Sequence, residues 1–169
     1  MNGLAFNAMK FAREVHANQR RKYTNNPYTD HLAEVAGIVA TVADYKSVDM
    51  WVATAWLHDC VEDQGVCKDD LALRFGSEVA CGVMLLSDLE TGNRAERKAA
   101  SRQRLAGAPS WVQTVKVADL ISNTASIVEH DAKFAALYLE EKRLLLDVLT
   151  KADRRLVEIA RTQVMGGSA

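Results

Sequence analysis

From Leu57 to Asp63 the sequence reads Leu-His-Asp-Cys-Val-Glu-Asp, one imidazole and three carboxylates in a short run. At about 100° per residue, a helix here would gather His58, Asp59, Glu62 and Asp63 into an arc of about 140°, leaving Trp56, Leu57 and Val61 to pack the rest. Those residue types can ligate a divalent cation or move protons. Three like charges on a partly buried face are costly unless a cation or a substrate compensates them. A lone His-Asp pair on an acidic helix end would also fit a solvated terminus, so further elements must decide.

A second polar set is Lys116, Asp119 and Asn123, whose i−3 and i+4 spacing about Asp119 puts all three on one helix face. A third is His31, just after Pro27-Tyr28-Thr29-Asp30 and close to a helix start. His31, His58, Asp59 and Asp119 together supply two imidazoles and two carboxylates, a nitrogen and oxygen set suited to Mn²⁺, Fe²⁺, Zn²⁺ or Mg²⁺. Thiolate ligation is not needed.

The elements that must position these residues read as helices. Two prolines, nine glycines and abundant Ala, Leu, Glu and Arg favour helix nearly throughout, so an all-α fold of about eight to ten helices is expected. Apolar spacing predicts a first helix over Gly3 to Arg20, ended by Tyr23-Thr24-Asn25-Asn26-Pro27, and a second from near Thr29 to Ala43. Ser47 or Asp49 can cap a third that carries Trp51, Ala55, Trp56 and His58 as far as Asp63. Short helices at Lys68 to Phe75 and Ser77 to Leu86 flank Gly76, and Asp88 to Asn93 reads as a loop.

A charged helix spans Arg94 to Ala106. Pro109 then opens a helix through Trp111, Val115, Ile121 and Ile127, apolar around most of its circumference and therefore central. Segments Phe134 to Leu149 and Asp153 to Val164 complete the pattern, with a frayed tail over 165–169.

With 169 residues, 49% of them hydrophobic, the chain suits one domain over 1–164. A formal net charge of −1 argues against a nucleic-acid polymer as partner, although a local basic pocket for phosphate is compatible with it. Cys60, Cys67 and Cys81 form no CxxC pair and are expected as free thiols. The N-terminal stretch carries Lys10, Arg13 and Glu14 in an amphipathic pattern, unlike a signal peptide or a membrane span, so a cytoplasmic protein is expected. The runs Met84-Leu85-Leu86 and Leu144-Leu145-Leu146 fit core or an interface, which leaves a homo-oligomer open.

At the level of motifs the chain resembles the HD-domain phosphohydrolases, and within them the hydrolase domain of the RelA/SpoT family, including its small stand-alone alarmone hydrolases. His16-Ala17-Asn18-Gln19-Arg20-Arg21-Lys22 followed by Asn26-Pro27-Tyr28-Thr29-Asp30-His31 looks like the family's H-x-x-Q-x-R-K and P-Y-x-x-H stretch. Leu57 to Asp63 looks like its L-H-D-x-x-E-D segment, Phe75-Gly76 like its F-G, and Val115 to Asn123 like its V-K-L-A-D-x-x-x-N helix. The resemblance covers roughly His16 to Ser126.

By position, it makes His31, His58, Asp59 and Asp119 the metal ligands, with Mn²⁺ the expected ion, and Glu62 and Asp63 the catalytic pair. It sets Arg21 and Lys22 against the base and phosphates of a nucleotide, Asn123 and Ser126 near its sugar and phosphate, and Tyr138 as a further contact. The activity implied is removal of the 3′-pyrophosphate from guanosine tetra- or pentaphosphate to give GDP or GTP and pyrophosphate. A divalent cation suits that chemistry because it acidifies water, polarises phosphate oxygen and offsets transition-state charge. A carboxylate can orient or deprotonate the attacking water.

Arg94, Arg97, Lys98, Arg102 and Arg104 could reach a pyrophosphate or form a solvated helix face. Three positions depart from many relatives: Leu32 in place of proline, and Leu120 and Glu90 where some have a basic residue. Adenosine alarmones and the 2′-phosphate of NADPH therefore stand as alternative substrates in the same site. A non-catalytic nucleotide-sensing module and a nucleoside 5′-monophosphate phosphatase are the rival readings.

Overall fold

The computed structural model describes residues 3–166. Ten helices and no strand occur among them: α1 Leu4–Val15, α2 Tyr28–Ala40, α3 Val48–Leu57, α4 Cys60–Gln64, α5 Lys68–Phe75, α6 Ser77–Leu86, α7 Arg94–Gly107, α8 Ser110–His130, α9 Ala132–Leu146 and α10 Arg154–Gly166. The all-α expectation holds. Two compact units divide the chain, Met1–Leu89 and Glu90–Ala169.

In the first unit α3 is the hub, packing against α1, α2 and α6, while α5 pairs with α6. Its run from Ala53 to Leu57 is buried without a break, which a helix shows only when neighbours cover its whole circumference. Asp49 does not cap α3. Its two carboxylate oxygens instead accept the Leu4 and Ala5 backbone N–H groups, each at 2.9 Å, so a residue of α3 satisfies the open N-terminus of α1. Ser47 likewise makes no cap and turns its hydroxyl to Asp44.

The first helix stops at Val15 rather than Arg20, because the chain turns at His16 and enters a loop pinned by an isolated bridge between Arg20 and Pro27. More consequential is the third helix, expected to run unbroken to Asp63. It ends at Leu57, and Asp59, with φ −100° and ψ −1°, starts the separate short helix α4. Gly65 stops α4 in the left-handed region (φ 67°), where glycine has no steric penalty, and Val66 N–H then reaches Cys60 O at 3.2 Å.

The second unit is organised by α8, which packs against α9 and α10 and more lightly against α7. Buried polar side chains tie it to the adjoining loops. Gln113 donates to Leu105 O at 2.9 Å and accepts Lys151 N–H at 2.8 Å, and Thr114 accepts Asp153 N–H at 3.0 Å. α7 opens with a complete capping box of Asn93 and Glu96. α10 extends through Met165 and Gly166, the first two residues of the segment expected as a tail; 167–169 lie outside the described residues. No helix among the described residues is long and apolar enough to cross a membrane.

Candidate functional site

In the first unit Pro27 precedes α2, and one turn into the helix His31 is fully buried, on the same face as Tyr28. The break between α3 and α4 turns Asp59 toward both. His58 Nε2 lies 3.0 Å and His31 Nε2 3.6 Å from the same oxygen, Asp59 Oδ2, which also accepts the Tyr28 hydroxyl at 2.6 Å. The two imidazole rings sit 5.3 Å apart at 65°.

His58 Nδ1 lies 2.7 Å from Ala55 O. A carbonyl can only accept, so Nδ1 carries a proton, and Nε2 is the ring atom that faces Asp59. Ligands about 2.1 Å from one ion are themselves about 3.0–3.4 Å apart, close to the two separations seen here. The donor set therefore fits a divalent cation held by His31, His58 and Asp59.

Glu62 and Asp63 stand exposed on α4 and are held differently. Glu62 Oε2 accepts Asp88 N–H at 2.8 Å, whereas Asp63 Oδ2 accepts the Gln19 side-chain amide at 2.7 Å. Cys60 is fully buried, and its thiol is pushed well up by burial first and then by the charges of Asp59 and Asp63. All three cysteines are free thiols, as expected, and Cys67 and Cys81 are exposed.

Arg21 and Lys22 occupy the loop before α2. Its backbone is closed by Arg21 N–H to Asn26 O at 2.9 Å, and Asn25 takes a left-handed φ of 57°. Arg21 lies 3.7 Å from Glu34, and Lys22 Nζ donates to Tyr23 at 3.2 Å, 4.7 Å from its ring centroid.

In the second unit Asp119 is buried on α8, and the expected shared face is real. Lys116 Nζ donates to its Oδ2 at 2.9 Å and Asn123 to its Oδ1 at 2.6 Å. Ser126 is half-buried on the same helix, its backbone oxygen 3.0 Å from His130 Nδ1. Tyr138 on α9 has a phenol pushed up by burial and, next, by the Asp119 carboxylate. The basic residues of α7 are partly engaged: Arg94 grips Glu141 at 2.7 and 2.8 Å over the Phe134 ring, and Arg104 pairs with Glu90. Arg97 is exposed.

Tyr28 and Gln19 emerge as site residues that the sequence did not single out, although both stand inside quoted motifs. The spacing of Tyr28 three residues before His31 was the available signal.

A family model described as the HD domain matches residues 8–108. The chain belongs to the HD-domain family. The match includes His31, His58, Asp59, Glu62 and Asp63 and ends before Asp119. The guanosine-3′,5′-bis(diphosphate) 3′-pyrophosphohydrolase MESH1 of Mus musculus is 36% identical over 120 residues, covering 69% of this chain and 65% of that protein. The Danio rerio protein of the same name is 34% identical, with 68% and 64% covered.

A probable guanosine-3′,5′-bis(diphosphate) 3′-pyrophosphohydrolase of Synechocystis is 32% identical over 71% of this chain but only 16% of its own length. The chain thus spans slightly under two thirds of these two animal relatives and a small part of the bacterial one. Among solved structures, a metazoan ortholog of SpoT that hydrolyzes ppGpp superposes with a TM-score of 0.86 at 22% identity, over 96% of this chain and 94% of that one. A Listeria monocytogenes protein does so at 0.70, also at 22% identity, over 88% and 100%. At such identities the likeness establishes the HD-type helical fold.

Proposed function

We propose that this HD-domain chain is a metal-dependent hydrolase that removes the 3′-pyrophosphate from guanosine tetra- or pentaphosphate, yielding GDP or GTP and pyrophosphate. The observation that carries the reading is the convergence of His31 and His58 Nε2 on Asp59 Oδ2, with Glu62 and Asp63 one turn further on. The names of the animal and bacterial relatives support the substrate.

His31, His58 and Asp59, with Asp119 as fourth ligand by its place in the family motif, would hold the ion, with Mn²⁺ our assignment. When bound, a divalent cation supplies Lewis acidity toward water and phosphate oxygen. Glu62 and Asp63 orient water and carry its proton, the Asp88 and Gln19 contacts limiting their motion. Arg21 stacks on the base while Lys22 meets phosphate charge, and Asn123, Ser126 and Tyr138 complete the nucleotide contacts. We assign residues 1–164 to this one hydrolase domain and place the protein in the cytoplasm.

The test is turnover by purified protein with Mn²⁺, Mg²⁺, Zn²⁺ or Fe²⁺ against guanosine and adenosine alarmones, NADPH and nucleoside monophosphates. GDP and pyrophosphate formed in equal amounts, with a loss on the order of 10³-fold or more in Asp59→Ala at unchanged helicity, is expected. Preferential phosphate release from NADPH or from monophosphates overturns the substrate assignment. No turnover with any metal overturns the enzyme and leaves a binding module.

A further inference from the structure

The loop between α1 and α2 sends a second side chain to the hydrolytic residues, and its hydrogen bonds have a fixed sense. Asp63 on α4 is a carboxylate and can only accept, so the atom of Gln19 that meets Asp63 Oδ2 at 2.7 Å must be its amide nitrogen. The amide oxygen of Gln19 therefore faces the other way. It meets His16 Nδ1 at 2.6 Å and also accepts the Gln64 amide from α4.

An amide oxygen accepts, so His16 Nδ1 must carry a proton, and the carboxylate at one end of the chain dictates the tautomer at the other. His16 is 1% exposed, stacks on Tyr28 with ring centroids 5.3 Å apart, and its Nε2 has no hydrogen-bond partner among the described residues. A buried imidazole that donates from Nδ1, together with the Gln64 amide on the same oxygen, restrains rotation of the Gln19 amide.

The Gln19 backbone is fixed as well. Its N–H donates to His16 O at 3.0 Å and its carbonyl accepts Tyr28 N–H at 3.0 Å. The loop thus reaches Asp63 through Gln19, as the first residue of α2 reaches Asp59 through the Tyr28 hydroxyl. Because the Gln19 amide is uncharged, it orients the Asp63 carboxylate without neutralising it, and it occupies one carboxylate oxygen while leaving the other for water.

We propose that Gln19, restrained by His16, is a positioning residue for Asp63, an inference resting on the reading that Asp63 belongs to the hydrolytic pair. Gln19 acts through Asp63 and touches no substrate. Losing it misplaces the carboxylate by a fraction of an ångström to an ångström, and such displacements cost up to about 10²-fold in rate.

The experiment compares wild type with Gln19→Glu, Gln19→Leu, His16→Asn and His16→Leu in the metal-loaded protein, measuring kcat, KM and thermal unfolding. Nitrogen-15 spectra of the histidines are recorded on metal-free protein. Gln19→Glu keeps the shape but sets carboxylate against carboxylate, so kcat should fall about 10- to 100-fold with KM within about twofold. His16→Asn, whose amide nitrogen replaces Nδ1, should hold kcat within about threefold, whereas His16→Leu should lose part of what Gln19→Leu loses, because Gln64 still holds the amide oxygen. The two Leu changes combined should be no worse than Gln19→Leu alone, because His16 acts through Gln19.

The spectra should show His16 as the Nδ1–H tautomer in wild type and a mixture in Gln19→Leu. Wild-type kcat in Gln19→Glu overturns the proposal, as does a fall in kcat that tracks lost thermal stability across all four variants, or an Nε2–H tautomer in wild type. If wild type turns over no nucleotide, the hydrolase reading fails, while the tautomer still reports whether His16, Gln19 and Asp63 form the chain.

Discussion

The carboxylates at the α3–α4 junction of the first unit are held by uncharged donors: the Tyr28 hydroxyl on Asp59, the Gln19 amide on Asp63 and the Asp88 N–H on Glu62. In the second unit Asp119 is met by the Lys116 ammonium as well as by the Asn123 amide, and a second buried ammonium, Lys142, is held by Thr124 and Gln163, each at 2.7 Å. Neutral donors orient a carboxylate and leave its charge in place, whereas an ammonium at 2.9 Å cancels much of it. At the junction the donors named orient carboxylates, whereas on α8 a carboxylate is paired with a cation of its own helix. The backbone follows the same division: the junction is a break between two helices, and α8 runs unbroken for 21 residues.

The sharpest way to break that contrast is Tyr28→Phe, which removes one neutral donor and little volume. Partners that orient a metal ligand are typically worth about 10- to 100-fold in affinity, so calorimetric Mn²⁺ binding should weaken by that factor while the melting temperature barely moves. Unchanged affinity would mean that the hydroxyl merely fills space beside Asp59.

A smaller effect is expected from Lys142, whose burial lowers its pKa from 10.5 to about 8, opposed by attraction to Asp119. Folding therefore favours the neutral amine. Between about pH 8 and pH 10.5 the unfolded chain holds a proton that the folded chain has released, so this group adds stability as pH rises through that window and imposes a constant cost below it. Relative to wild type, Lys142→Met should be most favourable below pH 8 and should lose on the order of 1 kcal/mol of that relative advantage by pH 10.5, once partial solvent screening is allowed for. Denaturant midpoints at the two pH values measure it. A difference that does not change with pH would mean that Lys142 titrates as it does in water.

The parts of this molecule that local chemistry governs were legible in the chain. Lys68 to Phe75 and Ser77 to Leu86 fall where spacing and Gly76 put them, and the i, i+3 and i+4 geometry about Asp119 needed only a continuous helix. The α3–α4 break was not legible, because the periodicity runs through it. At the break a local bond, His58 Nδ1 back to Ala55 O, meets a tertiary one that the periodicity does not carry, Asp59 turning to Tyr28 on another helix. For the same reason Asp49 read as a cap for its own helix, when its carboxylate serves α1, forty-four residues away in sequence at Ala5. The bonds of Gln19 were hidden likewise, since two of its partners, Asp63 and Gln64, come from α4.

The finest distinction between the two units is the sign of a charge effect, which Lys116→Met reads directly. On our assignment Asp119 completes the cation site, so the Lys116 ammonium, 2.9 Å from Asp119 Oδ2, competes with the incoming ion for the same negative charge. Removing the ammonium leaves the Asn123 amide on Oδ1 at 2.6 Å, so the carboxylate keeps its orientation and loses only its internal counter-charge. Affinity for Mn²⁺ should then rise by roughly threefold, the modest size reflecting the partial exposure of Lys116 and the screening that goes with it. Tyr28→Phe and Lys116→Met should therefore move the same binding constant in opposite directions. If both weaken it, the ammonium orients Asp119 as the hydroxyl orients Asp59, and the contrast between the two units disappears; if Lys116→Met leaves it unmoved, Asp119 is not a ligand.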